Sequence, residues 1–314
     1  MFTTYLAKTL AATIALFIIG AGTISTYWNE MTLYDHYRSL IEIKNNVSQK
    51  NDLNIIYYYG YATTKEILQD TSFEIEENAL KLTREVEMYQ WEEDLTRAKN
   101  RHIKTWSNKI INSELFSDNS YSTYSNPNYM YVFPQTIVSK NVTFDNYKLS
   151  PEIIKKIPNQ ILITFSDDQI KHLNNKSKLK IQINGEKLFF GENPQTPNIG
   201  DLRVRLYKTN PQYISVIAQK NGNLLQPYQA STGESVVLIE SGRVSINELI
   251  DHAVIKNNLD SWKYRLIILL VMCFGALTFY SVQSRTKIIS RAIKTGTLLW
   301  LIATVIIFIM LRYF

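Results

Sequence analysis

The chain has almost no cysteine and, toward its two ends, no acidic residue. Its single cysteine, Cys273, lies inside an apolar run, so the middle of the chain can form no disulfide. Roughly 235 residues between the apolar ends are enough to bury a core without such staples. A cysteine-free domain is compatible with a periplasm or a lumen and demands neither. No Asp or Glu precedes Asn29 or follows Arg265, and the only charges in those end regions are Lys8, Arg285, Lys287, Arg291, Lys294 and Arg312. Of the 34 basic residues, 28 therefore lie between positions 29 and 265, against all 28 acidic ones. The net charge of +6 belongs to the ends alone. It reads as the Lys and Arg bias of a membrane topology, and nucleic-acid binding loses its support.

The signatures of catalysis are missing too. There is no Gly-rich phosphate loop, no serine-nucleophile elbow and no zinc motif. The four histidines, His36, His102, His172 and His252, are scattered, and none has a partner at metal-ligand spacing. Glu92, Glu93 and Asp94 read as a solvated strand end, and Asp167 and Asp168 as a helix first turn favoured by the helix dipole. The expectation is a protein that is not an enzyme, with no catalytic residue, cofactor or metal.

What the chain does have is three apolar runs. Two of them, Leu266–Val282 and Thr295–Leu311, carry no charge and are joined by a link bearing Arg285, Lys287, Arg291 and Lys294. Seventeen helical residues cover about 26 Å, slightly short of a bilayer's hydrocarbon core but extendable by flanking aromatics. This predicts a transmembrane hairpin with its basic link in the cytoplasm. The third run, Thr9–Ile24, follows Lys8 and precedes Tyr27 and Trp28 at the expected interface. It is read as an uncleaved signal anchor. A cleaved signal peptide is the rival, given Gly20, Ala21 and Gly22 near its end. The polar residues of the C-terminal pair, Thr278, Ser281 and Thr304, are not ionisable. That argues against a transporter working as a monomer and leaves an oligomeric pore open. Ala11 and Ala15 give a small-xxx-small spacing, here attributed to chance. The expected domains are an anchor over 1–28, an extracytoplasmic domain over 29–262 and the hairpin over 263–314.

In the middle, residues 29–50 look helical and polar. Ile55–Tyr61, Glu74–Trp91 and Arg101–Ile111 read as strands, and Ser117–Pro127 as a polar loop. Ser150 before Pro151 predicts a helix start with Ile153, Ile154 and Ile157 on one face. Ser166 with Gln169, and Ser245 with Glu248, form capping-box pairs. Asn184–Gly185 and Asn221–Gly222 predict hairpins with type I′ turns. The helix after Ser245 is expected to pack its apolar face on the domain's sheet and lead to an anchor cluster of Trp262, Tyr264 and Arg265. Leu202–Leu206 reads as a strand with Arg203 and Arg205 on one face. Two such arginines could hold an acidic partner or a lipid headgroup, but a solvated face or pairing with neighbouring carboxylates is the preferred reading.

Several segments carry a resemblance. Val86, Glu87, Met88, Tyr89, Gln90 and Trp91 spell VEMYQW, and Ile110–Ser113 spell IINS. Asn193, Pro194, Pro197, Gly200, Asp201, Leu202 and Arg203 fall within NPQTPNIGDLRV. With Val216–Ala218, Pro227 and Gly233–Gly242, these strings resemble, in the same order, the transmembrane protein 43 (LUMA) family. The resemblance implies one span, a long non-cytosolic domain and a membrane-embedded C-terminal part. It also implies an organiser of membrane-protein complexes, placed in animals in the endoplasmic reticulum and inner nuclear membrane and associating with itself. Animal members are similar to a four-span plan. This chain shows three runs, which would put its C-terminus on the side of the soluble domain.

The expectation is thus an α+β protein: three transmembrane helices with a β-rich, antiparallel extracytoplasmic domain between spans one and two. Its partners would be the lipid bilayer, other membrane proteins and a further copy of itself, with no nucleic acid. The expected role is a membrane scaffold, the alternative an oligomeric ion channel or channel accessory subunit. The Asn-, Lys-, Ile- and Tyr-rich composition favours a bacterial cytoplasmic membrane with a periplasmic domain over an endomembrane with a lumenal one. Sequons at Asn46, Asn141 and Asn175 do not decide between them. The motif residues are expected to determine the fold rather than catalyse.

Overall fold

In the computed structural model, which describes residues 2–48, 54–94, 102–117, 123–281 and 288–313, the chain is α+β and divides into two units. Residues 1–57, 227–238 and 244–314 form a helical unit, and residues 58–226 and 239–243 a β-rich one.

The helical unit is built on α1 (Phe2–Asn46), α4 (Ile246–Ser281) and α5 (Ile288–Tyr313). The apolar run and the polar stretch after it are one helix in α1, because neither Gly nor Pro interrupts the chain from Thr23 to Asn46. Leu10–Asn46 and Ile246–Phe279 are long and apolar enough to cross a membrane. Phe17 and Leu270 are 76% and 69% exposed, an outward apolar surface that hydrocarbon solvates better than water. The link expected over 283–294 is shorter than the spacing of charges suggests. Arg291 and Lys294 lie exposed on the first turns of α5, while Arg285 and Lys287 lie outside the described residues.

α4 runs antiparallel beside α1, and small residues set their distance. A Cβ on Gly275 would lie 3.4 Å from the Ala15 carbonyl oxygen, and one on Gly22 would lie 2.8 Å from Met272 Cγ. Ala15 is fully buried at this contact, so that one of the two alanines whose spacing was attributed to chance does pack between the helices. Buried Glu30 and half-buried Arg265 form a two-pronged pair (2.7 and 2.5 Å), with Asn29 donating to Ser261 at 3.0 Å. The capping box at Ser245 and Glu248 is present. The helix it starts continues without a break to Ser281 and lies beside α1.

A short hairpin in 227–238 is strapped onto the polar half of α1. Tyr228–Gln229 pairs with Ser235–Val236, Ser39 meets Thr232 at 2.7 Å, and His36 meets Glu234 at 3.2 Å. The Glu42 carboxylate accepts from the Tyr228 hydroxyl and from the Ser231 amide and hydroxyl. The Tyr228 bond, then those of Ser231, hold the Glu42 carboxyl below its ordinary value of 4.5. A lowered carboxyl pKa stabilises above the unfolded value, and that contribution is lost as pH falls through the folded one. Proteolytic cleavage within the strap is therefore expected to rise as pH drops below about 4.5. In Glu42→Gln the strap should be cleaved faster at neutral pH, with a smaller acid-dependent increase.

In the β-rich unit, the strand Ile55–Thr63 (from Tyr58 on), Thr143–Phe144, Tyr147–Leu149, Leu224–Gln226 and Gln212–Asn221 pair in that order, and the last returns to the first, closing a ring. The pairing of Tyr147–Leu149 with Leu224–Gln226 is parallel, while Thr143–Phe144 pairs antiparallel with Ile55–Thr63 and with Tyr147–Leu149, as Leu224–Gln226 does with Gln212–Asn221. Phe144, Ile214, Val216 and Leu225 are completely buried. α2 (Pro151–Lys156) starts at Ser150, whose hydroxyl accepts from the Ile153 amide, and buries Ile153 and Ile154 as expected.

A second sheet, antiparallel throughout, runs Ile181–Asn184, Lys187–Phe190, Leu202–Thr209, Lys81–Glu93, His102–Ser107. Lys81–Glu93 is its central strand. The Glu74–Trp91 run is split: Ile75–Glu77 pairs back on Leu68–Asp70 before the central strand begins. One face of the sheet buries Leu82, Val86, Met88, Leu202, Val204 and Leu206. α3 (Asp167–Lys176) closes over it with Ile170 and Leu173, behind the expected Ser166–Gln169 capping box. Inside this core Arg84 grips Asp70 at 2.7 and 2.9 Å.

Both predicted hairpins exist with their turns shifted by one residue. Asn184 pairs with Lys187, and Asn221 with Leu224. The two-residue loops are thus Gly185–Glu186 and Gly222–Asn223, in which only the glycines have positive φ, 62° and 61°. That is the pattern of a type II′ turn, so the glycine leads the loop instead of ending it.

Candidate functional site

Three of the segments singled out in the sequence, Val86–Trp91, Ile110–Ser113 and Asn193–Arg203, meet at the far end of the central strand, while Val216–Ala218 lies in the other sheet. Alternation along Val86–Trp91 sends Val86, Met88 and Gln90 inward, each at most 1% exposed, and leaves Glu87, Tyr89 and Trp91 half-buried on the other face. Gln90 is polar yet fully buried, and its amide explains why: Nε2 donates to the Lys109 carbonyl and Oε1 accepts from the Ile111 amide, both at 2.8 Å. It fastens the IINS segment to the strand.

Where regular pairing with Leu202–Thr209 runs out, the GD pair takes over. The Tyr89 amide donates to the Asp201 carbonyl at 2.8 Å, and the Gly200 amide donates to the Tyr89 carbonyl at 2.9 Å. Gly200 has φ 96°, and a Cβ there would stand 3.2 Å from Pro127 Cγ. The Asp201 carboxylate accepts from the Asn198 amide at 2.7 Å and fills the space that a Cβ on Gly191 would need. Burial pushes the Asp201 carboxyl above its usual value, against the lowering effect of the Asn198 bond. Asn193 opens the segment, its side chain accepting from the Gln195 amide at 3.0 Å in an Asx turn beside Pro194; Pro194 and Pro197 are half-buried.

Two residues further along the central strand, an asparagine side chain stands in for a strand. Asn126 accepts from the Trp91 amide at 2.7 Å and donates to the Trp91 carbonyl at 2.8 Å. It also donates to the Ile111 carbonyl at 3.1 Å, and its own amide donates to Ser113 Oγ at 3.1 Å. Nothing in the sequence pattern flagged Asn126, because it sits in the polar Ser117–Pro127 loop; its position before Pro127 was the only signal. Asn126→Ala strips partners from both backbone groups of Trp91 and from Ile111. A loss of about 2–4 kcal/mol is expected, readable as a lowered urea midpoint. Asn126→Asp, which keeps the acceptor, should recover part of it.

On the outer face, Arg203 forks onto Glu87 (Nε 2.5 Å, Nη2 3.0 Å) and lies over the Trp106 ring at 4.5 Å. The Arg203 bond holds the Glu87 carboxyl below its usual value. Arg205 faces Glu85 at 3.5 Å. The two arginines are thus spent on cross-strand carboxylates, as the preferred reading had it. Tyr89 and Trp106 pair at 5.0 Å, and Trp91 packs on Tyr124 with Lys104 above it. The cluster holds amides, backbone groups, paired charges and rings. Beside it, at the end of the central strand, the Ser117 hydroxyl donates to the Glu93 carboxylate, and among the described residues no group of His, Cys, Asp or Glu could hold a metal ion.

Two helices of membrane-crossing length joined to a β-rich domain define the class: an integral membrane protein with an α+β domain. A family profile described as Transmembrane protein 43 matches residues 88–313. The chain belongs to the transmembrane protein 43 family. It is 27% identical over 242 residues to Transmembrane protein 43 of Homo sapiens and, likewise, of Mus musculus, covering 70% of this chain and 58% of each relative. The Drosophila melanogaster homolog is 26% identical over 291 residues, covering 83% of this chain and 75% of the relative. The match thus spans less than two thirds of the mammalian relatives' length. No solved structure matches.

Proposed function

We propose that the chain is a membrane scaffold that organises other membrane proteins and copies of itself, without enzymatic activity. In this reading α5 is a third span, the link holding Arg285, Lys287, Arg291 and Lys294 is cytoplasmic, and the β-rich unit lies outside the cytoplasm. The observation that carries the choice over a channel is what the polar groups of the apolar helices do. Thr278 donates back to the carbonyls of Phe274 and Gly275, and Thr304 to that of Trp300. These hydroxyls serve their own helices, leaving them poor candidates for lining a water-filled path.

Crosslinked co-purification from native membranes tests the scaffold: stoichiometric membrane-protein partners are expected. Recordings from purified, reconstituted protein test the alternative, and reproducible unitary currents would displace the scaffold reading. The proposed location is a bacterial cytoplasmic membrane with a periplasmic domain. Asn141 and Asn175 are exposed, so an endomembrane location predicts a glycosidase-sensitive mobility shift of the native protein. Such a shift would overturn the bacterial choice.

A further inference from the structure

At the opposite end of the central strand from the motif cluster, Lys81 is 4% exposed and makes no ion pair among the described residues. Its ammonium donates to the carbonyls of Lys155 (2.7 Å) and Ile157 (2.8 Å), capping the end of α2. An ammonium carries three N–H groups, so one remains. A charge this buried ordinarily has a carboxylate beside it; here burial alone acts on the group and pushes its pKa down. Lys81 lines a depression of about 460 Å³ shared with Thr83, Thr136, Lys155 and Gln160. No acidic side chain contributes to that lining. Thr209, the cross-strand partner of Lys81, is fully buried, and its hydroxyl has no hydrogen-bond partner among the described residues.

The geometry points to a binding site for a phosphate-type oxyanion in this depression, with Lys81 as its buried cation. Two ammonium groups, two hydroxyls and an amide supply more donors than the two oxygens of a carboxylate use, and suit a dianion with three terminal oxygens. Thr83 and Thr136 are cross-strand partners, which places both hydroxyls on one face beside Lys81. Free phosphate and the phosphomonoester of a lipid headgroup present the same chemistry.

The test uses the full chain in non-ionic detergent, following its unfolding midpoint at fixed ionic strength. Chloride is replaced by inorganic phosphate in one arm, and in the other short-chain phosphatidic acid replaces short-chain phosphatidylcholine. A ligand that binds only the folded chain raises the midpoint saturably. A saturable rise with phosphate assigns a free anion; a rise with phosphatidic acid alone assigns a headgroup. Thr136→Val with Lys155→Gln leaves the α2 cap in place. It should keep the chloride midpoint and raise the half-saturating concentration at least tenfold. Lys81→Met should lower the chloride midpoint and abolish the response. No saturable rise with either probe, or a response unchanged in the Thr136→Val, Lys155→Gln chain, would show Lys81 to be a helix cap only and overturn the proposal.

Discussion

Arg84→Met is expected to destabilise the β-rich unit by about 3–5 kcal/mol, because it leaves the Asp70 carboxylate buried without its cation. Arg84 is held on every side: Asp70 takes two of its hydrogen bonds, the Phe133 carbonyl accepts from Nε at 2.8 Å, and Gln135 accepts from Nη2 at 2.8 Å. The guanidinium also lies 5.5 Å from the Phe73 ring centre. Asp70 in turn accepts from the Ser72 amide at 3.0 Å, which fixes the turn between two short strands. Asp70→Leu should cost a comparable amount by stranding the guanidinium. Pairing Arg84→Met with Asp70→Leu should cost less than the two single changes summed, since no charge is left behind. Urea unfolding of the full chain in detergent, followed by tryptophan fluorescence, reads all four proteins. Additive losses would mean that the two side chains do not act as a pair.

Gly296→Leu is expected to push α5 away from α4 and to cost about 3 kcal/mol or more, at the upper end of overpacking effects. The reason is what a Cβ at 296 would meet: Cys273 Cα at 2.5 Å and Cys273 N at 2.8 Å. Backbone cannot rotate out of the way as a side chain can, so the helices must separate. Gly20→Leu is the control, as nothing lies within 4 Å of a Cβ there. The chain supplies its own reporter. Cys273 is its only cysteine and packs at this contact, so thiol labelling in detergent should accelerate in Gly296→Leu and stay unchanged in Gly20→Leu. Equal labelling in the two would show that the contact tolerates a side chain.

Local rules were legible because they are written within a few residues. The starts at Ser150, Ser166 and Ser245 each depend on one hydroxyl and one amide three positions away, so each could be read directly. The family strings pointed to residues that do converge on Tyr89, Gln90 and Trp91. The rest depends on partners distant in sequence. Gln90 finds Ile111, Asn126 finds Trp91, and Asp70 finds Arg84 across loops whose composition says only that they are polar. The strand over 101–111 stops at Ser107 because Ser107 Oγ and the Gln90 amide take up Lys109 and Ile111 instead. Nor does an amphipathic pattern name its partner: the helix that carries Leu249 and Ile250 lies along α1, at the other end of the chain. The hairpin turns shifted because Asn-Gly specifies a tight turn but leaves open whether Asn closes the strand or enters the loop.

The unbroken α1 and α4 pair has a mechanical consequence. Between Thr23 and Asn46, and between Ile246 and Phe274, there is neither Pro nor Gly at which a helix would yield, and the Glu30–Arg265 fork bolts the two rods together. The rods therefore behave as one lever with no elbow. Beyond Trp28, α1 reaches about 27 Å further, so a ten-degree tilt of the apolar segment sweeps its outer tip through about 5 Å. A change in bilayer thickness that tilted the apolar end would be delivered at the other end as displacement.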